Sequence, residues 1–308
     1  MHLSQKRFVD ETLPFDHSQL LIALQGMSER YSFLGIGSLG CSILGRSIPL
    51  LTLGCGKREA LYVGAHHGME WITSLILTRF VNEFCEQVQQ NRTAYHISLV
   101  QLLQTHTIYI IPMLNPDGVE YQIHGIEESN PLYNRLLIMN GGSTDFSSWQ
   151  ANARGVDLNH NYDAGFAEYK RLEAENGISN GAPTRYSGTA PESEPEVAYL
   201  CNFIRFRELR AVLTFHTQGE EIFYRSAEKA PRGSSVLARR MAMLSGYTLS
   251  TAEGLASYGG LTDWCIQKLD LPSFTIECGK GRNPLPIRDA FPIYARLREL
   301  LFTIPVLL

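Results

Sequence analysis

Apolar positions cluster in four short runs: ALYVGA at 60–65, THTIYIIPML at 105–114, AVLTF at 211–215 and SFTIE at 273–277. None alternates between apolar and polar residues. Runs of this length without alternation predict strands buried on both faces, as in a parallel or mixed sheet covered by helices. A segment at roughly 16–31 and another from about Glu70 to Gln89 carry apolar residues at helical spacing and predict amphipathic helices. Glycines punctuate FLGIGSLGCSILGRSIPLLTLG at 33–54, which predicts short strands there. Asn115-Pro-Asp-Gly118 is strong turn chemistry, and a long stretch at 120–195 is polar and rich in Gly, Asn and Ser. No internal repeat, low-complexity tract or linker divides the chain. The expected architecture is α/β: a mixed, mostly parallel twisted sheet with helices on both faces. It forms a single domain over 1–308, with 1–33 as an N-terminal helical segment packed on it.

The chain has 308 residues, 44% hydrophobic and 19% charged, which is ordinary globular composition. A net charge of -4 without a Lys/Arg cluster argues against a nucleic-acid partner. No segment reaches the ~18 apolar residues of a membrane span, and the N-terminus lacks the apolar core of a secretory signal. The six cysteines, Cys41, Cys55, Cys85, Cys201, Cys265 and Cys278, include no CxxC pair, and most sit in apolar runs. Free thiols in a reducing compartment, the cytoplasm, are expected.

The candidate chemistry sits where three of the apolar runs end. In sheets of this kind ligands bind outside the carboxyl ends of the strands. His67, His216 and Glu277 each follow such an end. His67-Gly-Met-Glu70 places two metal-ligand types three residues apart where a strand passes into a helix, and His216 can complete the set. Catalytic zinc takes three protein ligands and leaves one position for water. An HxxE string is weak by itself, because a capping Glu beside an exposed His reads the same way. His66, four residues before Glu70, is a competing ligand. His96, His106 and His124 belong to no motif and read as ordinary histidines.

The wider pattern resembles the zinc carboxypeptidase family. Gly64-Ala-His-His-Gly-Met-Glu-Trp-Ile-Thr73 is similar to the family's His-x-x-Glu-Trp-Ile signature. The segment at 36–54 resembles its opening strand pair with a Gly-Arg element, and Asn115–Gly118 its NPDG turn. Gly155-Val-Asp-Leu-Asn159 resembles the segment that ends in a substrate-binding Asn-Arg, and Phe215-His216-Thr217 the strand with the third zinc ligand. Gly259-Gly-Leu-Thr-Asp-Trp264 followed by Ser273–Glu277 resembles the Gly-Gly-x-x-Asp-Trp element and the general-base strand. The resemblance implies one zinc ion held by His67, Glu70 and His216, with Glu277 as general base and Asp157 orienting His67. In that register His66 is supporting or structural. The implied activity is peptide hydrolysis.

Three departures bear on substrate. Asn159-His160 stands where carboxypeptidases have Asn-Arg, so the fork that pairs with a terminal carboxylate is missing. Gln150, in Trp149-Gln-Ala-Asn152, occupies the place of the oxyanion-stabilising arginine, and nearby Arg154 is a candidate substitute. The family's mobile tyrosine position is Leu255; Tyr258, directly before Gly259, is the candidate for its role. With GVDLN, SYGGLTDW and ECGKGRNPLP, these departures resemble the bacterial γ-D-glutamyl-L-diamino acid peptidases. That branch implies a peptide partner of the muropeptide type, cut between γ-D-glutamate and meso-diaminopimelate. Asn159, His160, Lys280 and Arg282 are the expected substrate contacts, and recycling or sporulation the expected setting. The alternatives are a carboxypeptidase on ordinary peptides and a catalytically silent zinc-binding protein.

Overall fold

A computed structural model describes residues 8, 12–252, 254 and 258–308. In chain order the elements are α1 (His17–Arg30), β1 (Gly35–Cys41), β2 (Ser47–Gly54), β3 (Arg58–Val63), α2 (Ile72–Gln89), β4 (Thr93–Ala94), β5 (Ile97–Ser98) and α3 (Leu99–Thr105). There follow β6 (His106–Ile111), α4 (Pro116–His124), α5 (Tyr133–Met139), α6 (Phe166–Glu175), α7 (Pro195–Arg205), β7 (Leu209–His216) and β8 (Glu221–Phe223). The chain closes with α8 (Ser234–Ser245), β9 (Thr248–Ser250), α9 (Leu261–Leu269), β10 (Ser273–Glu277) and α10 (Ala290–Thr303). Eight strands form one sheet in the order β1-β2-β6-β3-β7-β10-β8-β9, and β4 with β5 makes a small separate ladder. The centre, β6-β3-β7-β10, is parallel throughout. The antiparallel β1–β2 pair extends one side, and β8 pairs antiparallel with β10 on the other.

The four apolar runs of the sequence are these central strands, and their lack of alternation has a direct cause. Tyr62, Ile110, Leu213 and Phe215 face a core shared with α1, α2 and α10. Leu61, Val63, Ile111 and Val212 face the opposite core, shared with α7 and α9. Each large side chain so buried contributes about 1.5–3 kcal/mol, so both faces favour apolar residues. The first helix begins where its cap allows: the Asp16 carboxylate accepts the Gln19 amide N–H at 2.7 Å. Leu20, Ala23, Leu24 and Met27 of α1 then join the same core as α2.

Two expectations shift. The second helix starts at Ile72, because 68–70 form a 3-10 turn. There the Thr73 hydroxyl donates to the Glu70 carbonyl at 2.8 Å and accepts the Ala65 amide at 2.8 Å, so the tight turn replaces the first α-turn. The polar stretch at 120–195 contains α5 and α6. Its folding rests on a small cluster of Tyr121, Leu136, Phe146 and Trp149, a pattern too sparse to read as periodicity. The short strands β8 and β9, which finish one side of the sheet, also carry no clear signal in the sequence. All six cysteines are free; Cys41 and Cys55 are exposed and the rest buried. Among the described residues no helix is long and apolar enough to cross a membrane.

Candidate active site and metal centre

Sheet register brings the chemistry together. His216 ends β7 and Glu277 ends β10, and the two are direct neighbours in the parallel ladder. On the other side of β7, Val63 at the end of β3 pairs with Thr214, and the chain then runs through Gly64 and Ala65 to His66 and His67. The segment expected as a turn at 115–118 is instead the capped start of α4, with Asn115 as N-cap and Pro116–Gly118 in its first turn, and it holds that crossing segment. Asn115 Nδ2 donates to the His66 carbonyl at 3.0 Å and to the Ala151 carbonyl at 3.2 Å. Its Oδ1 accepts the Gly118 amide at 2.9 Å. Gly68 packs so closely on this turn that a Cβ there would lie 2.3 Å from the Gly118 carbonyl oxygen. Only glycine fits, which ties the His-Gly-x-Glu string to the turn in space. Arg46, the arginine of the Gly-Arg element, donates to Asp117 at 2.6 Å and anchors the turn from the far side.

His67, Glu70 and His216 converge in a buried cluster. His67 Nδ1 lies 3.0 Å from Glu70 Oε1, and His216 Nδ1 lies 3.2 Å from Glu70 Oε2. The two Nδ1 atoms are 3.3 Å apart. The outer nitrogens are occupied. His67 Nε2 donates to Asp157 Oδ1 at 3.1 Å, and His216 Nε2 lies 3.1 Å from the Thr214 hydroxyl. Both imidazoles thus turn Nδ1 toward each other and toward the Glu70 carboxylate. Three electron-pair donors crowded in this way suit a cation between them, and the His/Glu/His set is one zinc favours. Asp157 is itself fixed by amides of Arg185 at 3.0 Å and Asn159 at 3.2 Å.

His66 turns away from the cluster. Its Nδ1 is 3.2 Å from the Thr214 hydroxyl and its Nε2 is 3.0 Å from the Tyr162 hydroxyl. The chain His216–Thr214–His66–Tyr162 is buried throughout and anchors the outer nitrogen of His216. Burial first, then the neighbouring His216 and His67, holds the His66 pKa well below its ordinary value, so the ring is neutral. Glu70 is driven the other way. Burial opposes its ionisation, but His67 and the hydrogen bonds from His216 and His67 outweigh that and hold it at about 2.

A cleft opens over the cluster, lined by His67, Glu70, His216 and Glu277 together with Gln150, Asn159, His160, Phe223, Arg225, Thr262 and Asp263. Burial, and then the Glu70 charge, keep the Glu277 carboxyl well above the usual carboxylate range. Gln150 accepts the Thr184 hydroxyl at 2.7 Å through Oε1, which leaves its amide N–H groups for the cleft. Asn159 likewise accepts the Leu261 amide at 3.1 Å through Oδ1. His160 stacks on Tyr169 with centroids 4.1 Å apart, and its Nδ1 donates to the Tyr258 carbonyl at 2.8 Å. Burial lowers its pKa, so it carries no cation into the cleft.

Other expected contacts lie elsewhere. Arg154 is 46% exposed, points to Glu194 at 3.6 Å and does not line the cleft. Tyr258 also does not line it; its ring packs over Gly165, where a Cβ would approach to 2.6 Å. Lys280, 70% exposed, pairs with Glu220 at 3.1 Å. Arg282 lines a neighbouring depression that shares Glu277, Thr217 and Phe223 with the cleft. Leu255 lies outside the described residues. Sequence reasoning missed three contributors. Asn283 donates to Glu70 Oε1 at 3.3 Å and to the Thr217 carbonyl at 2.8 Å. Thr214 supports His216, and Arg225 lines the cleft wall. Thr214 carries the only signal of the three, a hydroxyl inside an apolar strand two residues before the ligand.

A mixed α/β sheet with a buried His/Glu/His cluster and a carboxylate at its strand rim defines a zinc metallopeptidase, a hydrolase. The sequence model described as zinc carboxypeptidase matches residues 20–296. The chain belongs to this family, its cofactor is zinc, and His67, Glu70 and His216 form a site able to hold it. The chain is 33% identical over 288 residues to the gamma-D-glutamyl-L-diamino acid endopeptidase 1 of Lysinibacillus sphaericus, covering 94% of this chain and 71% of that protein. It is 27% identical over 277 residues to carboxypeptidase B of Bos taurus, covering 84% of this chain and 61% of that protein. The crystal structure of thrombin activatable fibrinolysis inhibitor superposes with a TM-score of 0.70 at 20% identity, over 94% of this chain and 73% of that one, which shows the fold is shared.

Proposed function

We propose that this peptidase hydrolyses the bond between γ-D-glutamate and meso-diaminopimelate in peptidoglycan-derived peptides, with Glu277 as general base. The observation that carries catalysis is that Glu277 lines the same cleft as the three metal ligands. Zinc bound there supplies a Lewis acid that lowers the pKa of bound water and polarises a carbonyl. Within the chain, Glu277 takes a proton from the attacking water and returns it to the leaving amine. Asp157 and Thr214 hold the two imidazoles by their Nε2 atoms, leaving Nδ1 beside Glu70, where the two rings would hold zinc. The Gln150 amide donates a neutral hydrogen bond to oxygen charge developing on the scissile carbonyl. Asn159 presents its amide to a substrate carboxylate.

The choice of bond rests on two supports. The relative from L. sphaericus is named for cleavage at a γ-D-glutamyl-L-diamino acid bond. In addition, Asn159-His160 provides no arginine fork, and His160 is neutral. Similarity to carboxypeptidase B supports a second reading, removal of C-terminal residues from ordinary peptides. Six free cysteines support a reducing compartment, and so an action on soluble muropeptides in the cytoplasm.

The test is product analysis by mass spectrometry after incubation with L-Ala-γ-D-Glu-meso-diaminopimelate and, separately, a blocked C-terminal dipeptide. Release of free diaminopimelate from the first with the second untouched is the expected result. Cleavage of the dipeptide alone establishes the second reading instead.

A further inference from the structure

The cleft wall away from the metal cluster carries one cation and one anion that catalysis does not use. Arg225 follows β8, and Asp263 lies in the first turn of α9; both line the cleft. Arg225 has an uncommitted edge. Its Nη2 donates to the Glu228 carbonyl at 3.2 Å and reaches the fully exposed Glu228 carboxylate at 3.4 Å. Its Nε is buried and has no hydrogen-bond partner among the described residues. The side chain as a whole is 36% exposed and lines the cleft, where its accessible N–H groups can give a carboxylate a charge-assisted bond.

Asp263 presents the opposite case. It is buried, and Oδ1 accepts the Ser226 hydroxyl at 2.5 Å. Among the described residues it has no ion-pair partner. Burial accordingly raises its pKa to about 6, which an ammonium beside it would reverse. Ser226 directly follows Arg225 and bonds Asp263, so one short segment ties the two charges to the same wall.

We infer that this wall reads the side-chain terminus of the residue on the leaving-amine side, taking its carboxylate on Arg225 and its ammonium on Asp263. The preferred residue is therefore one whose side chain ends as an amino acid, with acid and amine on one carbon. A lysine-type side chain offers only the amine and a 2-aminoadipate-type side chain only the acid. Arg225 thus supplies the positive charge expected of Lys280, which pairs with Glu220 at the surface instead. This inference rests on the proposed γ-D-glutamyl reading for its substrate, but not for its residues.

The experiment compares kcat/KM for L-Ala-γ-D-Glu-X with X as meso-diaminopimelate, L-lysine or L-2-aminoadipate, in the wild type, Arg225→Gln and Asp263→Asn. The same X residues are also offered in an ordinary α-linked peptide. Zinc content and thermal midpoint are measured on every variant. The wild type is expected to favour diaminopimelate by about 10-fold or more, since a site built to bond a polar group rejects analogues that lack it. Arg225→Gln should remove the advantage of acid-bearing residues and leave lysine unchanged. Asp263→Asn should remove the advantage of amine-bearing residues. If Asp263→Asn does not fold, the Arg225→Gln pair of rates decides. Equal loss on all three substrates in Arg225→Gln, or a wild type indifferent to X, overturns the inference. If only α-linked peptides are cut and the Arg225-dependent preference persists, the γ-D-glutamyl reading fails while the inference stands.

Discussion

The strand rim and the cleft wall are built on different principles. At the rim, His216 and Glu277 occupy adjacent positions of one ladder, and His67 follows the end of β3 by a few residues. A ladder fixes neighbouring residues to within the tolerance of its hydrogen bonds, so ligand placement follows from register. Much of the wall is made of segments that join elements: the side chains of Gln150, Asn159 and Arg225 each hang on one or two hydrogen bonds, to Thr184, to Leu261 and to Glu228. Their positions follow from turn geometry and from neighbours far away in sequence. The rim therefore specifies what reaction is possible, while the wall specifies which molecule undergoes it.

The sharpest break of this comparison is Glu277→Gln. It should lower kcat by about 10²–10⁴-fold, the range a positioned general base supplies, with zinc still bound by mass spectrometry. Activity close to the wild type would move the base role to the wall and undo the division. Next comes Asn283→Ala, which removes a donor to Glu70, and Thr214→Val, which removes the partner of His216. Each should weaken zinc affinity by about 10- to 100-fold in a competition titration against a chelator, as loss of such supporting partners does elsewhere. Unchanged affinity would mean the ligands are held by packing alone.

Stability offers an intermediate test away from both regions. Glu196 is buried beside Glu194 and Asp117, and burial raises its pKa to about 8. A raised carboxyl pKa means the folded state binds the proton more tightly than the unfolded chain. Its contribution is present below about pH 4.5 and is lost as pH rises towards about 8, by at least about 1 kcal/mol in total. Glu196→Gln should flatten that slope in denaturant titrations at pH 5 and pH 8; an unaltered slope would show that Glu196 ionises normally. The smallest effects are expected at Arg154→Ala and Lys280→Ala. Both side chains are largely exposed and paired away from the cleft, so rates should stay within about twofold. A large fall in kcat/KM for either would bring it back into the site.

The same division explains what could be read from the chain. The central strands announce themselves because burial on both faces leaves no polar position to interrupt them. Candidate polar residues follow at strand ends, where side chains leave the core, so the positions of His67, His216 and Glu277 along one rim are legible in the chain. Arg154 illustrates the opposite case. Its place two residues after Asn152 suggests the cleft, yet Asn152 Oδ1 takes the Arg154 amide at 2.9 Å and the side chain leaves toward Glu194. Lys280 is near Glu277 in sequence, but the chain turns outward after Gly279 and the ammonium meets Glu220. Arg225 has no motif at all; it reaches the cleft because β8 pairs beside β10, a topology that the short Glu221-Ile-Phe223 segment does not declare. Asn283 is equally silent, since only the return of its loop onto Thr217 brings it to Glu70.

Removal and return of the metal tests the central claim most directly. Purified protein is stripped with a chelator, dialysed, and assayed on L-Ala-γ-D-Glu-meso-diaminopimelate while zinc is added back stepwise. Activity should vanish on stripping and return linearly to a break at one zinc per chain, with His216→Ala showing neither binding nor recovery. Full hydrolysis by stripped protein, or recovery in His216→Ala identical to the wild type, would contradict a reaction centred on His67, Glu70 and His216.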